Sequence, residues 1–261
     1  MRRQLARNWV FLLVVMLVLA AFEFALCAVV ANMDVATALN QISTFAPPVM
    51  RAMIEQNMAG GSPAAVLSFG WNHPIAHALL TAVAITLAAR AIAGEIETGA
   101  IELVLSQPIS RAQYFGAHVL FGAGALSVVL AGGMLGTAFG QQIFALNAFG
   151  PERLALLFLN AFLLQFAIYA LTLAVSAFGR ESGRVALVGA LLAVFSLIIN
   201  VIGALWSKAE FAKPLSLHSY FEPRDILTLG HLPGSSLLIL AVVAGIAITA
   251  AFARFVRRDL P

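Results

Sequence analysis

The sequence predicts an all-α, polytopic integral membrane protein with six transmembrane helices. Apolar residues fill 61% of its 261 positions and charged residues only 10%, whereas soluble domains run near half apolar and a quarter charged. So few polar side chains cannot coat a water-facing surface. Six apolar runs, at about 9–31, 74–93, 114–140, 154–178, 185–205 and 236–256, each approach or exceed the roughly 20 residues that a helix needs to cross a hydrocarbon core. Together the runs use up most of the chain. Residues 1–261 therefore read as one transmembrane domain, with no room for a separate soluble one.

The first run, Val10 to Val30, is longer than the roughly 7–15-residue apolar core of a secretory signal. It reads as a retained helix, although the small residues Ala25, Ala28 and Ala31 follow in the manner of a cleavage site. The connection Asn32–His73 contains PPVMRAMIEQNM, with proline at a helix start and Val49, Met50, Met53 and Ile54 at helical spacing. A second apolar piece, GGSPAAVLSFGW, follows it. Both are expected as amphipathic helices lying along the outer interface. In the third run, Gly132, Gly136 and Gly140 repeat every four residues and form a face for close helix approach. Packing inside the bundle is preferred there over a subunit interface. Trp206, Phe211, Tyr220 and Phe221 in the last outer connection are the amphipathic or bulky aromatics expected at a membrane surface.

Cation placement sets the orientation. With the N-terminus inside, ten Lys and Arg residues fall on the inner side and five on the outer. An even number of spans puts the C-terminus inside as well, so both termini are expected in the cytoplasm. The net charge is only +3, and thirteen of the fifteen cations are Arg, spread in short clusters. No dense basic stripe and no nucleic-acid motif stands out, so no nucleic-acid partner is expected. The single cysteine, Cys27, sits in an apolar run and reads as a small buried hydrophobe. The chain has no G-x-x-x-x-G-K-[ST] phosphate loop and is not itself an ATPase.

Ionisable and polar residues inside spans are functional candidates. Glu23, in the first run, is open to two readings. It lines a translocation path or binds a proton, or it reaches the outer interface or a neighbouring helix; the second is preferred. Asn160, Gln165 and Asn200 read as interhelical hydrogen-bond partners rather than substrate ligands. His73 and His77 stand four apart at the mouth of the second span, and two interfacial histidines are preferred over a metal site. No H-E-x-x-H pattern is present and no metal is expected. Arg90 and Arg111 are expected to meet lipid phosphate or to snorkel.

The segment 94–112, between the second and third runs, is longer than a turn requires. Gly94 ends the second run; Ile96, Ala100, Ile101, Val104 and Leu105 then recur at helical spacing, with Glu95, Glu97 and Glu102 at other positions. This predicts a short amphipathic helix at the inner surface, stopped by Pro108, with Ser110 capping the next helix in front of Arg111.

The run Gly94-Glu95, Glu97-Thr98-Gly99 and Glu102-Leu-Val-Leu105-Ser106-Gln-Pro108-Ile-Ser110-Arg111 resembles the signature of type-2 ATP-binding-cassette (ABC) exporter permeases. FAPPVMRAMIEQNMAGGSPAAVLSFGW, SLHSYFEPRDIL and the terminal FVRRDLP are similar to further pieces of that family, in the same order along nearly the whole chain. The subgroup that includes the nitrous-oxide-reductase maturation permease looks closest. His118 stands where the family commonly has Lys, and the leading MRRQLARN is shorter than the family's elbow helix.

The resemblance implies a permease subunit in a bacterial inner membrane. It implies a coupling helix seated on a separate ATPase and a homodimer served by two ATPase copies. ATP and Mg would be bound by that partner, and no cofactor by this chain. Glu95, Glu97, Gly99, Ile101, Glu102, Leu105, Ser106, Pro108 and Arg111 would form the coupling site. Ile101, Val104 and Leu105 would be its apolar knobs, Gly99 would permit close approach, and Pro108 with Arg111 would set the re-entry angle. Two readings of other classes stand beside it: a stand-alone ion- or proton-coupled carrier using Glu23, and a membrane enzyme acting on lipid, for which no motif speaks.

Overall fold

A computed structural model describes residues 2–32 and 62–258, together with 37, 41, 44–47 and 51 of the connection between them. Every regular element among the described residues is helical. Six stretches are long and apolar enough to cross a membrane: Arg3–Asn32, Pro63–Ala91, Arg111–Ile143, Pro151–Phe178, Ser182–Leu205 and Gly234–Arg257. Each corresponds to one of the expected runs, the second ending at Ala91 rather than at 93. The helix expected over PPVMRAMIEQNM falls almost wholly outside the described residues.

The spanning helices are α1 (Arg2–Asn32), α3 (Pro74–Ala91), α6 (Arg111–Ile143), α7 (Pro151–Phe178), α8 (Ser182–Leu205) and α10 (Gly234–Arg257). Between them lie the shorter α2 (Pro63–Trp71), α4 (Ala93–Glu97), α5 (Ala100–Leu105) and α9 (Pro223–Leu229), and two 3₁₀ helices, Ser207–Leu215 and Leu217–Tyr220. α6 holds 33 residues and so is about 50 Å long at 1.5 Å per residue. It overruns a hydrocarbon core of about 30 Å at its ends.

α6 lies along α1, and α7 packs against α10 and α3. The glycine stripe explains the first pairing. A Cβ at Gly132 would collide with Met16, one at Gly136 with the backbone of Ala20, and one at Gly140 would come 2.6 Å from Cys27 Cβ. Small residues every fourth position thus let two backbones meet inside one bundle. Cys27 is fully buried there, its thiol pointing at the Thr137 carbonyl at 3.6 Å.

The piece PAAVLSFGW corrects the interfacial expectation. It forms α2, and Ala64, Ala65, Val66, Leu67 and Trp71 are all buried. α2 packs on α1 and α9. Its sequence is apolar on nearly every side, so it has no polar face to offer to headgroups. Ser62 caps it, the hydroxyl accepting from Ala65 N–H at 3.3 Å, and His73 caps α3 by accepting from Ile75 N–H at 3.2 Å. Both helices begin with proline at the first turn, where the missing N–H costs nothing.

Candidate functional site

The N-terminal turns of α1, the α4–α5 segment, the start of α6 and the end of α10 gather at one end of the bundle, here called the terminal end. The segment 94–112 is two short helices rather than one. Thr98 and Gly99 break it, and Gly99 takes φ +67°, in the left-handed region that favours glycine. A Cβ at Gly99 would meet nothing within 4 Å. The turn alone therefore asks for glycine here, whatever lies outside this chain. α5 then ends at Leu105, before Pro108. Ser110 and Gln113 form a reciprocal capping box: the Ser110 hydroxyl accepts from Gln113 N–H at 3.1 Å and the Gln113 side chain accepts from Ser110 N–H at 2.9 Å.

Three side chains fasten this segment to spanning helices. Glu95 is buried and accepts from Arg7 Nη1 of α1 at 2.6 Å, with Arg3 Nη2 at 3.6 Å. Glu97 accepts at one oxygen from the Ser182 hydroxyl at 2.6 Å and from Ser182 N–H at 2.8 Å, capping the first turn of α8. Those bonds hold its carboxyl below the ordinary value. Ile101 is 1% exposed and packs into the main core. It is an anchor here, not an exposed knob.

Arg111 closes the arrangement from the other side. Its Nη1 donates to the carbonyls of Val256 at 2.8 Å and Arg258 at 2.6 Å, satisfying the open C-terminal end of α10. The Arg258 guanidinium does the same for α7, donating to Ala177 and Gly179 carbonyls at 2.9 Å each. Arg90 donates to Asn8 Oδ1 at 3.4 Å. What remains outward on the segment is an edge: Glu102, Ser106 and Pro108 are exposed, and Leu103 is 73% exposed. Leu103 is the apolar side chain that periodicity missed, because it falls off the stripe that Ile101 defines.

Residues 2–260 match the family model described as ABC-2 family transporter protein. The chain belongs to the ABC-2 transporter family. Comparison with curated proteins gave no match. It is thus a multi-pass membrane permease of a family whose members are transmembrane subunits that work with ABC ATPases. The run that resembles the family's signature falls on the strapped segment just described.

Elsewhere in this ABC-2 permease, Glu23 is fully buried among α1, α2 and α6. Its Oε2 accepts from the Thr137 hydroxyl at 3.4 Å, and Oε1 has no partner among the described residues. It reaches a neighbouring helix and not the interface. Gln165 meets Thr81 of α3 across helices at 3.3 Å, as expected. Asn160 instead clamps the far connection, donating to the Tyr220 carbonyl at 2.8 Å and accepting from Glu222 N–H at 3.0 Å.

His73 and His77 line one cavity but hold different partners. His73 caps α3 and touches Phe22 and Phe69, whereas His77 is buried against Asn72, His218 and Phe221. Among the described residues no group of three or more metal-ligating side chains comes together. The partner of His77 across the fold, His218, carried no signal in the sequence. With Asn200, these two rings line a cavity of about 650 Å³ at the end opposite the termini. Burial, with His77 adding to it, pushes the His218 imidazole down to about 3.

Proposed function

We propose that this chain is the membrane half of an exporter driven by a separate ABC ATPase, with the α4–α5 segment as the docking element. The observation that carries the reading is the contrast within that segment. Its inner side is tied to α1 through Glu95, to α8 through Glu97 and to the core through Ile101, while Glu102 and Leu103 stand free at its rim. A partner pressing on that rim would move spanning helices and not a slack loop. A carboxylate beside an exposed leucine also suits docking by shape and charge together.

On this reading the terminal end faces the cytoplasm of a bacterium, in keeping with the excess of cations there. Two copies of the permease pair with two ATPase copies, each docking segment serving one, in the two-fold arrangement common among such assemblies. ATP and Mg belong to the partner. Substrate passes between the two permeases, near the first, second and fifth spans. Nucleotide-driven closure of the ATPase pair shifts the population of inward- and outward-open states.

The test is Glu102→Arg combined with Leu103→Asp in the full chain, co-expressed with an ABC ATPase that co-purifies with the parent chain. The variant should insert and keep its helix content but lose co-purification and transport-linked ATP hydrolysis. Complex formation and coupling equal to the parent chain would sink the proposal.

The burial of Glu23 with an unpaired oxygen supports a second reading, a stand-alone proton- or ion-coupled carrier. It requires transport without nucleotide that is abolished in Glu23→Gln.

A further inference from the structure

At the terminal end, Arg3, Gln4 and Arg7 of α1 face Gln113, Tyr114 and His118 of α6 across a cavity of about 240 Å³. All six lie within the first eight residues of α1 and α6, helices longer than the hydrocarbon core is thick, and the apolar run of α1 begins only at Trp9, which argues for headgroup depth whichever way the bundle is oriented. Its cations are incompletely used. Arg7 spends one nitrogen on Glu95 and Arg3 makes only a 3.6 Å contact to the same carboxylate, while their side chains are 37% and 61% exposed. Each guanidinium carries five N–H donors, so most of these point at no protein acceptor. One carboxylate against two guanidiniums leaves a net positive site.

Two further features narrow the ligand. Gln4 Nε2 is engaged with His118 Nδ1 at 2.9 Å, but Gln4 Oε1 is buried with no hydrogen-bond partner among the described residues. It is an acceptor waiting for a donor. Beyond the arginines, Val10, Val14 and Leu17 continue the same helical stripe as Arg3 and Arg7 and are 53%, 51% and 55% exposed. The site thus reads, from the membrane surface inward, as phosphate-binding cations, a hydroxyl acceptor and an apolar track.

We propose that this cavity binds an anionic glycerophospholipid with a hydroxylated headgroup, as in phosphatidylglycerol. The phosphate would sit on Arg3 and Arg7, a headgroup hydroxyl would donate to Gln4 Oε1, and an acyl chain would lie along Val10, Val14 and Leu17. Basic pockets between spanning helices are suited to such headgroups. A second copy of the chain is disfavoured as the occupant of this end of α1, and the proposed path between two permeases would meet the first span further along the bilayer. Two parallel protomers related by a two-fold axis along the membrane normal would bring the same arginines together at the same depth, like charge against like. This inference does not depend on the transport reading.

The experiment is lipid titration of the delipidated full-length protein, followed by native mass spectrometry. The probes are phosphatidylglycerol, phosphatidic acid and phosphatidylcholine, with inorganic phosphate as competitor. Phosphatidylglycerol should be retained most and phosphatidylcholine least. Arg3→Gln should weaken its binding about fivefold, the worth of about 1 kcal/mol for one interfacial cation. Gln4→Leu should erase the preference for phosphatidylglycerol over phosphatidic acid.

Equal retention of all three lipids would overturn the proposal, as would binding unaffected by Arg3→Gln. Displacement of lipid by millimolar phosphate alone would make the site a simple anion site and overturn it too. Efficient cross-linking of Val14→Cys to a second copy would give the strip to a protein interface. Arg3 contributes only the long contact to Glu95, so its substitution tests the site without dismantling the fold.

Discussion

Arg7 and Glu95 form a 2.6 Å ion pair that joins the first spanning helix to the segment between α3 and α6, with the carboxylate side chain 6% exposed. Losing Glu95 removes a charge-assisted hydrogen bond and leaves Arg3 and Arg7 as like charges without the carboxylate between them. Glu95→Ala should therefore lower stability by about 2 kcal/mol, read as a fall in the thermal midpoint in detergent. The exchanged pair, Arg7→Glu with Glu95→Arg, should recover part of the loss in a double-mutant cycle. If Glu95→Ala unfolds at the parent temperature, the strap from α1 carries no load.

The α1–α6 contact makes a separate prediction. Gly136→Ala places a methyl into the backbone of Ala20, which cannot rotate away. The helices must separate, at a cost of about 1–3 kcal/mol for overpacking. Gly124 in the same helix is the control, since a Cβ there meets nothing within 4 Å. Gly124→Ala should be neutral or slightly stabilising, as glycine in a helix interior is worth less than alanine by about 0.5–1 kcal/mol. Equal effects at both positions would mean that the glycine stripe is not the site of closest approach.

The spans, the glycine stripe and the Ser110 cap were legible in the sequence because each is written in residues that are neighbours along one helix. The straps were not. Arg111 satisfies carbonyls 145 and 147 residues away, and Arg7 meets a carboxylate 88 residues on. Nothing in helical periodicity says which cation will find which helix end, because that depends on how separate helices pack. The same reason hid the meeting of His77 with His218. Periodicity also misplaced Ile101: the apolar stripe of a short amphipathic helix points at the protein's own core, and the residue beside it is left outside. The break at Gly99 was visible as a glycine, but its φ was not.

The end opposite the termini should be sensitive to acid through His218. Its imidazole is buried, shares a hydrogen bond between Nδ1 and the Ser196 hydroxyl over 2.9 Å, and sits 5.0 Å, ring to ring, from His77. Its folded value is about 3 against an ordinary 6.5. A depressed basic group is neutral in the fold and protonates more readily when unfolded. Its contribution is thus complete above pH 6.5 and is lost as pH falls towards 3. At pH 5 the loss is about 2 kcal/mol, at 1.4 kcal/mol per pH unit. His218→Asn keeps a polar partner for Ser196 and removes the titration. Melting midpoints of the variant should change less than those of the parent between pH 7 and 5. Parallel curves for the two proteins would refute this.

Ile101 and Leu103 stand two residues apart and should fail in opposite ways. Ile101 is 1% exposed and touches the main core, so Ile101→Ala leaves a cavity and should cost about 2–4 kcal/mol of stability. Leu103 is 73% exposed, and its truncation removes little packing within this chain. Leu103→Ala should leave the stability within about 0.5 kcal/mol of the parent. If the rim docks an ATPase, the same substitution should weaken that complex by about 1–2 kcal/mol, the range of a peripheral-to-central apolar interface contact. Measuring both variants for melting and for complex affinity separates the anchor from the docking edge. A Leu103→Ala protein that melts early but binds normally would place Leu103 in the fold and remove the most exposed leucine of the proposed docking surface among the described residues.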